Sequence, residues 1–136
     1  MEILVNIDVD DLPRAERFYC RAFGLRPLRR FGANGVELVG ASACLYLLCK
    51  PAGSRPAPAV RQPRDYARHW TPVHLDFVVE DADAAVARAV AAGATLEGAP
   101  ESHPWGRIAH LADPFGHGLC IVQFTERGYD TIATRA

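Results

Sequence analysis

The sequence predicts an α+β fold made of two tandem βαβββ modules, and three observations predict it. First, residues 73–93, VHLDFVVEDADAAVARAVAAG, alternate as a strand, with Leu75, Phe77 and Val79 on one face and His74 and Asp76 on the other. The run then becomes helical, with Asp81 placed to cap the helix and Gly93 to end it. Second, residues 4–24, LVNIDVDDLPRAERFYCRAFG, repeat that plan. Val5, Ile7 and Val9 oppose Leu4, Asn6 and Asp8; Asp11 is the cap, Pro13 falls in the first helical turn and Gly24 stops the helix. Aligning Asp10-Asp11 with Glu80-Asp81 sets Leu4 opposite His74. Third, each helix is followed by three short strand-like runs separated by turn residues.

Each element has a local cause. The first strand covers residues 3–9, and Ala15, Phe18, Tyr19, Ala22 and Phe23 give the first helix an apolar stripe at helical spacing. Residues 25–31 read as a strand that Pro27 pushes to an edge. The turn Gly32-Ala-Asn-Gly35 returns the chain as a strand over 36–39, and Gly40-Ala-Ser turns it again into an apolar strand over 43–49. In the second module a strand over 73–80 and a helix over 82–92 precede strands at 94–97, 106–112 and 119–124. Residues 98–104 read as a loop, and Asp113-Pro-Phe-Gly116 is a strong turn before the last strand.

The organisation is therefore a first module over residues 1–50, a Pro- and Arg-rich linker over 51–72, a second module over 73–125 and a polar tail over 126–136. The linker holds no sustained apolar period; Tyr66 and Trp70 are the side chains in it expected to find a surface to bury.

A net charge of −1 gives no basic surface, which argues against nucleic acid or an anionic membrane as partner. No apolar run approaches the length of a membrane span, and the chain starts directly in a strand, so a cytoplasmic location is expected. Cys20, Cys44, Cys49 and Cys120 form no C-x-x-C pair and read as reduced thiols. There is no G-x-S-x-G elbow, phosphate-binding loop or dinucleotide fingerprint.

The repeated βαβββ order, the D-L-x-x-A-x-x-F-Y run at 11–19 and W-G-R-I-A-H-L-A-D-P-F-G-H at 105–117 resemble the vicinal oxygen chelate superfamily. That superfamily includes glyoxalase I, bleomycin-resistance proteins and extradiol dioxygenases. The resemblance implies that the strands form a curved mixed sheet around a central ligand cavity, with helices outside, commonly in a homodimer. Alternation then aims Leu4, Asn6, Asp8, Cys44, Tyr46, Leu48, His74, Asp76, Cys120, Val122 and Phe124 inward, with Ile108 and His110 assigned the same way.

Catalytic members of the superfamily hold a divalent metal with His or Glu at four strand positions. Those positions fall here on Leu4, Tyr46, His74 and Cys120, of which only His74 is an ordinary ligand for such a site. No cofactor is therefore expected, with a divalent metal through substituted ligands left open.

Asn6, Tyr46, His74, Asp76, Trp105, Arg107, His110 and Cys120 are the candidate ligand-contacting residues, and His74 is the candidate catalytic one. Trp70, Trp105, Tyr46 and Phe124 either wall an aromatic pocket or seal an interface. Two functions follow. One is a metal-free dimeric binder of a small aromatic or drug-like molecule, in the manner of the bleomycin-resistance branch. The other is a lyase, isomerase or dioxygenase acting on a small oxygenated substrate through His74.

Overall fold

A computed structural model describes residues 1–134. By internal contacts the chain divides into two compact units, Met1–Ala67 and Arg68–Ala136.

In the first unit, β1 (Val5–Val9) leads to α1 (Leu12–Phe23), then β2 (Arg26–Arg30), β3 (Gly35–Val39) and β4 (Leu45–Cys49). The sheet order is β1-β4-β3-β2, with β1 parallel to β4 and the other pairs antiparallel. Asp11 caps α1 by accepting the Arg14 N–H at 2.9 Å, and Gly24 ends the helix in the left-handed region at φ +68°. The stripe Leu12, Ala15, Phe18, Tyr19 and Ala22 is buried, as are Ile7, Val9, Leu45 and Leu47 on the sheet face beneath it. Every residue of β2 is exposed, as suits an edge strand carrying Pro27, and its pairing slips between Pro27 and Arg30.

The second unit repeats the arrangement with β5 (Leu75–Val78), α2 (Ala82–Ala92), β6 (Thr95–Leu96), β7 (Glu101–His103), β8 (Gly106–Ala112) and β9 (Gly118–Phe124). The order is β5-β9-β8-β6, again with one parallel pair, β5 with β9. Asp81 accepts the Ala84 N–H at 2.9 Å, and the small side chains Ala82, Ala85 and Ala89 are buried where α2 packs on β8 and β9.

Superposed by register, the modules agree row by row. Tyr46 of β4 pairs with Asn6 of β1 and Glu37 of β3; Cys120 of β9 pairs with Asp76 of β5 and His110 of β8. All six occupy the sheet face opposite the helix of their own unit, because the helix face takes the alternate residues.

Three sequence expectations change. Several strands are shorter than read: Ile3 and Leu4 precede β1 and are exposed, and β5 covers four residues where eight were expected. The stretch 98–104, read as a loop, contains β7, antiparallel to β8. Glu101, Ser102 and His103 are all exposed, so the pairing rests on backbone hydrogen bonds and leaves no apolar alternation to detect. The expected linker is not one segment. Up to Ala67 it belongs to the first unit, tied there by Gly53 N–H to Arg64 O (2.9 Å), Arg64 to Asp8 (2.6 Å) and Tyr66 Oη–H to Lys50 O (2.7 Å). From Arg68 onward it belongs to the second.

The tail holds a single 3₁₀ turn, Gly128–Thr131; residues 135 and 136 lie outside the described residues.

Candidate functional site

A set of chemically capable side chains in the second unit gathers where β5, β8 and β9 run side by side. His74 Nε2 stands 3.3 Å from Asp76 Oδ1 just before and within β5. The Cys120 thiol, from the neighbouring strand, faces the same carboxylate, the donor atoms of the three side chains lying within 4.8 Å of one another. Burial first, and then the Asp76 charge, push that thiol up to about 12. It is therefore a protonated donor at neutral pH and not a nucleophile. His110 lies opposite Cys120 on β8 and is exposed.

Trp70 stands over this group. Its ring meets His74 edge-on at 5.4 Å and His110 at 5.9 Å between centroids. The Trp70 indole N–H donates to Glu97 Oε2 at 3.2 Å, the Arg68 guanidinium lies 5.0 Å over the ring, and Arg68 also pairs with Glu97. The segment is fastened further by His69, whose N–H donates to Gly116 O at 3.0 Å and whose Nε2 lies 3.3 Å from His117 Nδ1. The turn under it is held by Asp113 Oδ1, which accepts the Phe115 and His117 N–H groups at 2.8 and 2.9 Å.

A second aromatic group marks the other end of β9. Trp105, Phe124 and Tyr129 meet with centroid separations of 4.7 to 6.4 Å, and His103 stacks on Trp105 at 5.0 Å. The sequence left Trp70 and Trp105 either in one pocket wall or sealing an interface. Instead Trp70 packs on Gly118, the first residue of β9, whereas Trp105 sits beside Phe124, the last.

Arg107 is turned away from both groups. It holds Asp83 of α2 at 3.0 Å and Ser102 at 2.9 Å, and it shares the parity of the helix-facing residues of β8.

In the first unit, Asn6 and Tyr46 lie on the open sheet face as expected from alternation, but the sequence reading passed over the group around Tyr46. Glu37 is buried and accepts hydrogen bonds from Arg29 (2.5 and 2.7 Å) and from the Tyr46 hydroxyl (2.7 Å). Arg29 foremost, then Tyr46, holds the Glu37 carboxyl down to about 2, and the Tyr46 phenol is raised by the same bond. A signal existed, since a carboxylate inside V-E-L-V must either reach solvent or be paired. A surface groove lined by Leu12, Glu16, Arg30 and Gly32 lies beside α1, away from these residues.

A scan against protein-family models matches the glyoxalase-like domain over residues 4–122. The chain belongs to that family. It is thereby a member of the vicinal oxygen chelate superfamily, and its mixed α+β fold is the one seen in the solved structures similar to it. A glyoxalase-related enzyme from Fulvimarina pelagi aligns with a TM-score of 0.71 at 21% identity, over 90% of this chain and 87% of that one. TnmS3, an antibiotic binding protein from Streptomyces sp. CB03234, aligns with a TM-score of 0.63 at 26% identity, over 92% and 96%. Anthracycline biosynthesis protein DauV of Streptomyces sp. (strain C5) is 34% identical over 123 residues, covering 90% of this chain and 41% of DauV. The chain thus spans about two fifths of that relative's length.

The residues at the four superfamily metal positions do not make the expected His/Glu donor set. Leu4 has no donor atom, and the Tyr46 hydroxyl is engaged by Glu37 and Arg29. His74, Asp76 and Cys120, with donor atoms within 4.8 Å of one another, are a group that could hold a metal ion. It comprises one imidazole, one carboxylate and one thiol, a mixture unlike the hard oxygen and nitrogen set on which Lewis-acid chemistry of this fold rests.

Proposed function

We propose that this protein binds a small aromatic or drug-like molecule without a metal, on the open sheet face of its second unit, and works as a cytoplasmic homodimer. The observation that carries this reading is the Trp70, His74, His110, Asp76 and Cys120 group. It joins a large half-exposed ring, two imidazoles and a carboxylate, while its thiol is kept protonated. Such a surface offers apolar contact and directional hydrogen bonds, which is what a ligand site requires. That TnmS3 is an antibiotic binding protein and DauV an anthracycline biosynthesis protein supports the class of ligand. All four cysteines are free and no helix among the described residues is long and apolar enough to cross a membrane, both compatible with the cytoplasm.

One observation favours a second reading. His74 against Asp76 at 3.3 Å is an imidazole–carboxylate pair of the kind that moves protons, so an acid–base lyase or isomerase is the alternative.

Metal analysis of the purified protein, with thermal shifts on adding Mn, Fe(II), Co, Ni and Zn, tests the metal-free reading, whereas chemical conversion of a bound ligand, lost in His74→Ala, would mark the acid–base alternative. Binding to the native state adds about 2.7 kcal/mol at a hundredfold excess over Kd. The binding reading predicts no stoichiometric metal and no shift that depends on His74. A near-stoichiometric metal lost in His74→Ala would overturn it. Sedimentation equilibrium tests the dimer.

A further inference from the structure

The open face of the second unit changes chemistry along its length. At one end stand Trp70, His74 and His110, with Asp76 against Cys120. One pair further along β9, Val122 lies between Val78 of β5 and Ile108 of β8, and Val78 is 61% exposed. At the far end Phe124 and Tyr129, both exposed, meet the half-buried Trp105. Cys120, Val122 and Phe124 alternate on this face, the first two buried between their neighbours and Phe124 exposed, so the strip from the polar end to the aromatic end follows β9 over the four steps from Cys120 to Phe124, about 14 Å.

We infer that this strip selects an elongated planar ligand, a hydroxylated compound of roughly three or four fused rings, bound lengthwise with its hydroxyl end at His74 and His110. This rests on the binding reading above and specifies its ligand. The length rules out a single ring spanning both ends. The aliphatic middle, with Val78 open, accepts a flat apolar surface and offers it no hydrogen bond. Trp105, Phe124 and Tyr129 supply ring faces and edges to the far end.

The polar end decides the substituent. Each imidazole presents two ring nitrogens, one of which always donates, and a hydroxyl both donates and accepts, so the two are complementary. Asp76 sits among these groups, and Arg68, the guanidinium nearest in sequence, is already held by Glu97. A ligand carboxylate placed there would meet Asp76 with no free cation from Arg68 to offset it. The site therefore favours a neutral phenol over an acid.

Fluorescence titration of the full chain with 2,3-dihydroxyanthraquinone, whose hydroxyls share one end ring, unsubstituted anthraquinone and anthraquinone-2-carboxylate tests this. The dihydroxy compound is expected to bind about tenfold more tightly than unsubstituted anthraquinone, the worth of one or two hydrogen bonds. His110→Ala should erase that preference, whereas Tyr129→Ala should weaken both compounds alike. Val78→Glu, at an exposed position that leaves the fold intact by circular dichroism, should weaken all three. The carboxylate should bind less well than the dihydroxy compound, and Asp76→Asn should narrow that gap. A preference that survives His110→Ala, or affinities unmoved by Tyr129→Ala and Val78→Glu, would overturn the lengthwise strip while leaving the binding reading standing. Binding of none of the three compounds, and of no other aromatic probe, would remove both.

Discussion

Replacing Gly118 with alanine is expected to dislodge Trp70 without disturbing the sheet. A Cβ on Gly118 would lie 2.6 Å from two carbons of the Trp70 ring and 2.8 Å from a third. Carbon atoms rest at about 3.5–4.0 Å, so the ring must retreat by roughly 1 Å. Gly118 does not have a positive φ, so alanine meets no backbone objection. Trp70 is 44% exposed and can retreat into solvent, which spares the core the strain of overpacking. What goes is the indole N–H bond to Glu97 at 3.2 Å, the Arg68 contact and the edge contacts to His74 and His110. A hydrogen bond contributes about 0.5–1.5 kcal/mol and an exposed cation–π contact about 0.5–1 kcal/mol, so the loss should be about 1–2.5 kcal/mol. Urea unfolding followed by circular dichroism measures it, and Trp70 emission in a Trp105→Phe background reports the displaced ring. In a Trp70→Ala background Gly118→Ala should be neutral to within about 0.5 kcal/mol. Equal destabilisation in both backgrounds would refute the reasoning, because the glycine would then be needed for something other than the ring.

Three further outcomes follow from other parts of the structure. Glu37→Gln should lower the melting temperature at pH 7, since it leaves Arg29 and Tyr46 without a carboxylate. Because the folded carboxyl is depressed from 4.5 to about 2, the parent's advantage is present above the ordinary carboxylate range and lost as pH falls through that window. Melting curves of parent and variant should therefore converge between pH 5 and pH 2, and a gap that stays constant would contradict the assignment. Leu111→Ala empties a fully buried site on β8 and should cost about 2–5 kcal/mol in chemical denaturation; a loss below about 1 kcal/mol would show the site collapses or was never tightly packed. Asp113→Ala strips the Phe115 and His117 N–H groups of their acceptor in a buried turn and should cost about 1–3 kcal/mol by the same assay, with faster amide exchange at those two residues.

Much of the fold was legible because the helices announce themselves. Asp11 with Gly24 and Asp81 with Gly93 bracket both helices, and strict alternation in 5–9 and 75–79 fixes which face each covers. Parity also placed His74, Asp76, His110 and Cys120 together on one face, since pairing register carries alternation from strand to strand. The sequence could not show β7, whose three residues are exposed, nor that residues up to Ala67 are stapled to the first unit through Arg64 and Tyr66. Those contacts join residues far apart in sequence and leave no periodic trace. Arg107 was drawn toward the ligand by its charge, but its parity directs it to Asp83 on the helix side. The separation of Trp70 from Trp105 followed from the Trp70–Gly118 contact, which no local pattern encodes.

Binding of a planar aromatic molecule without a metal is open to direct measurement. Calorimetric titration of the chelator-treated protein with 2,3-dihydroxyanthraquinone measures it, with Trp70→Ala and His74→Ala alongside. Saturable binding is expected, unchanged when Mn or Fe(II) is restored and weakened at least about tenfold in each variant. Binding that appears only after metal is restored, or that ignores Trp70 and His74, would contradict it.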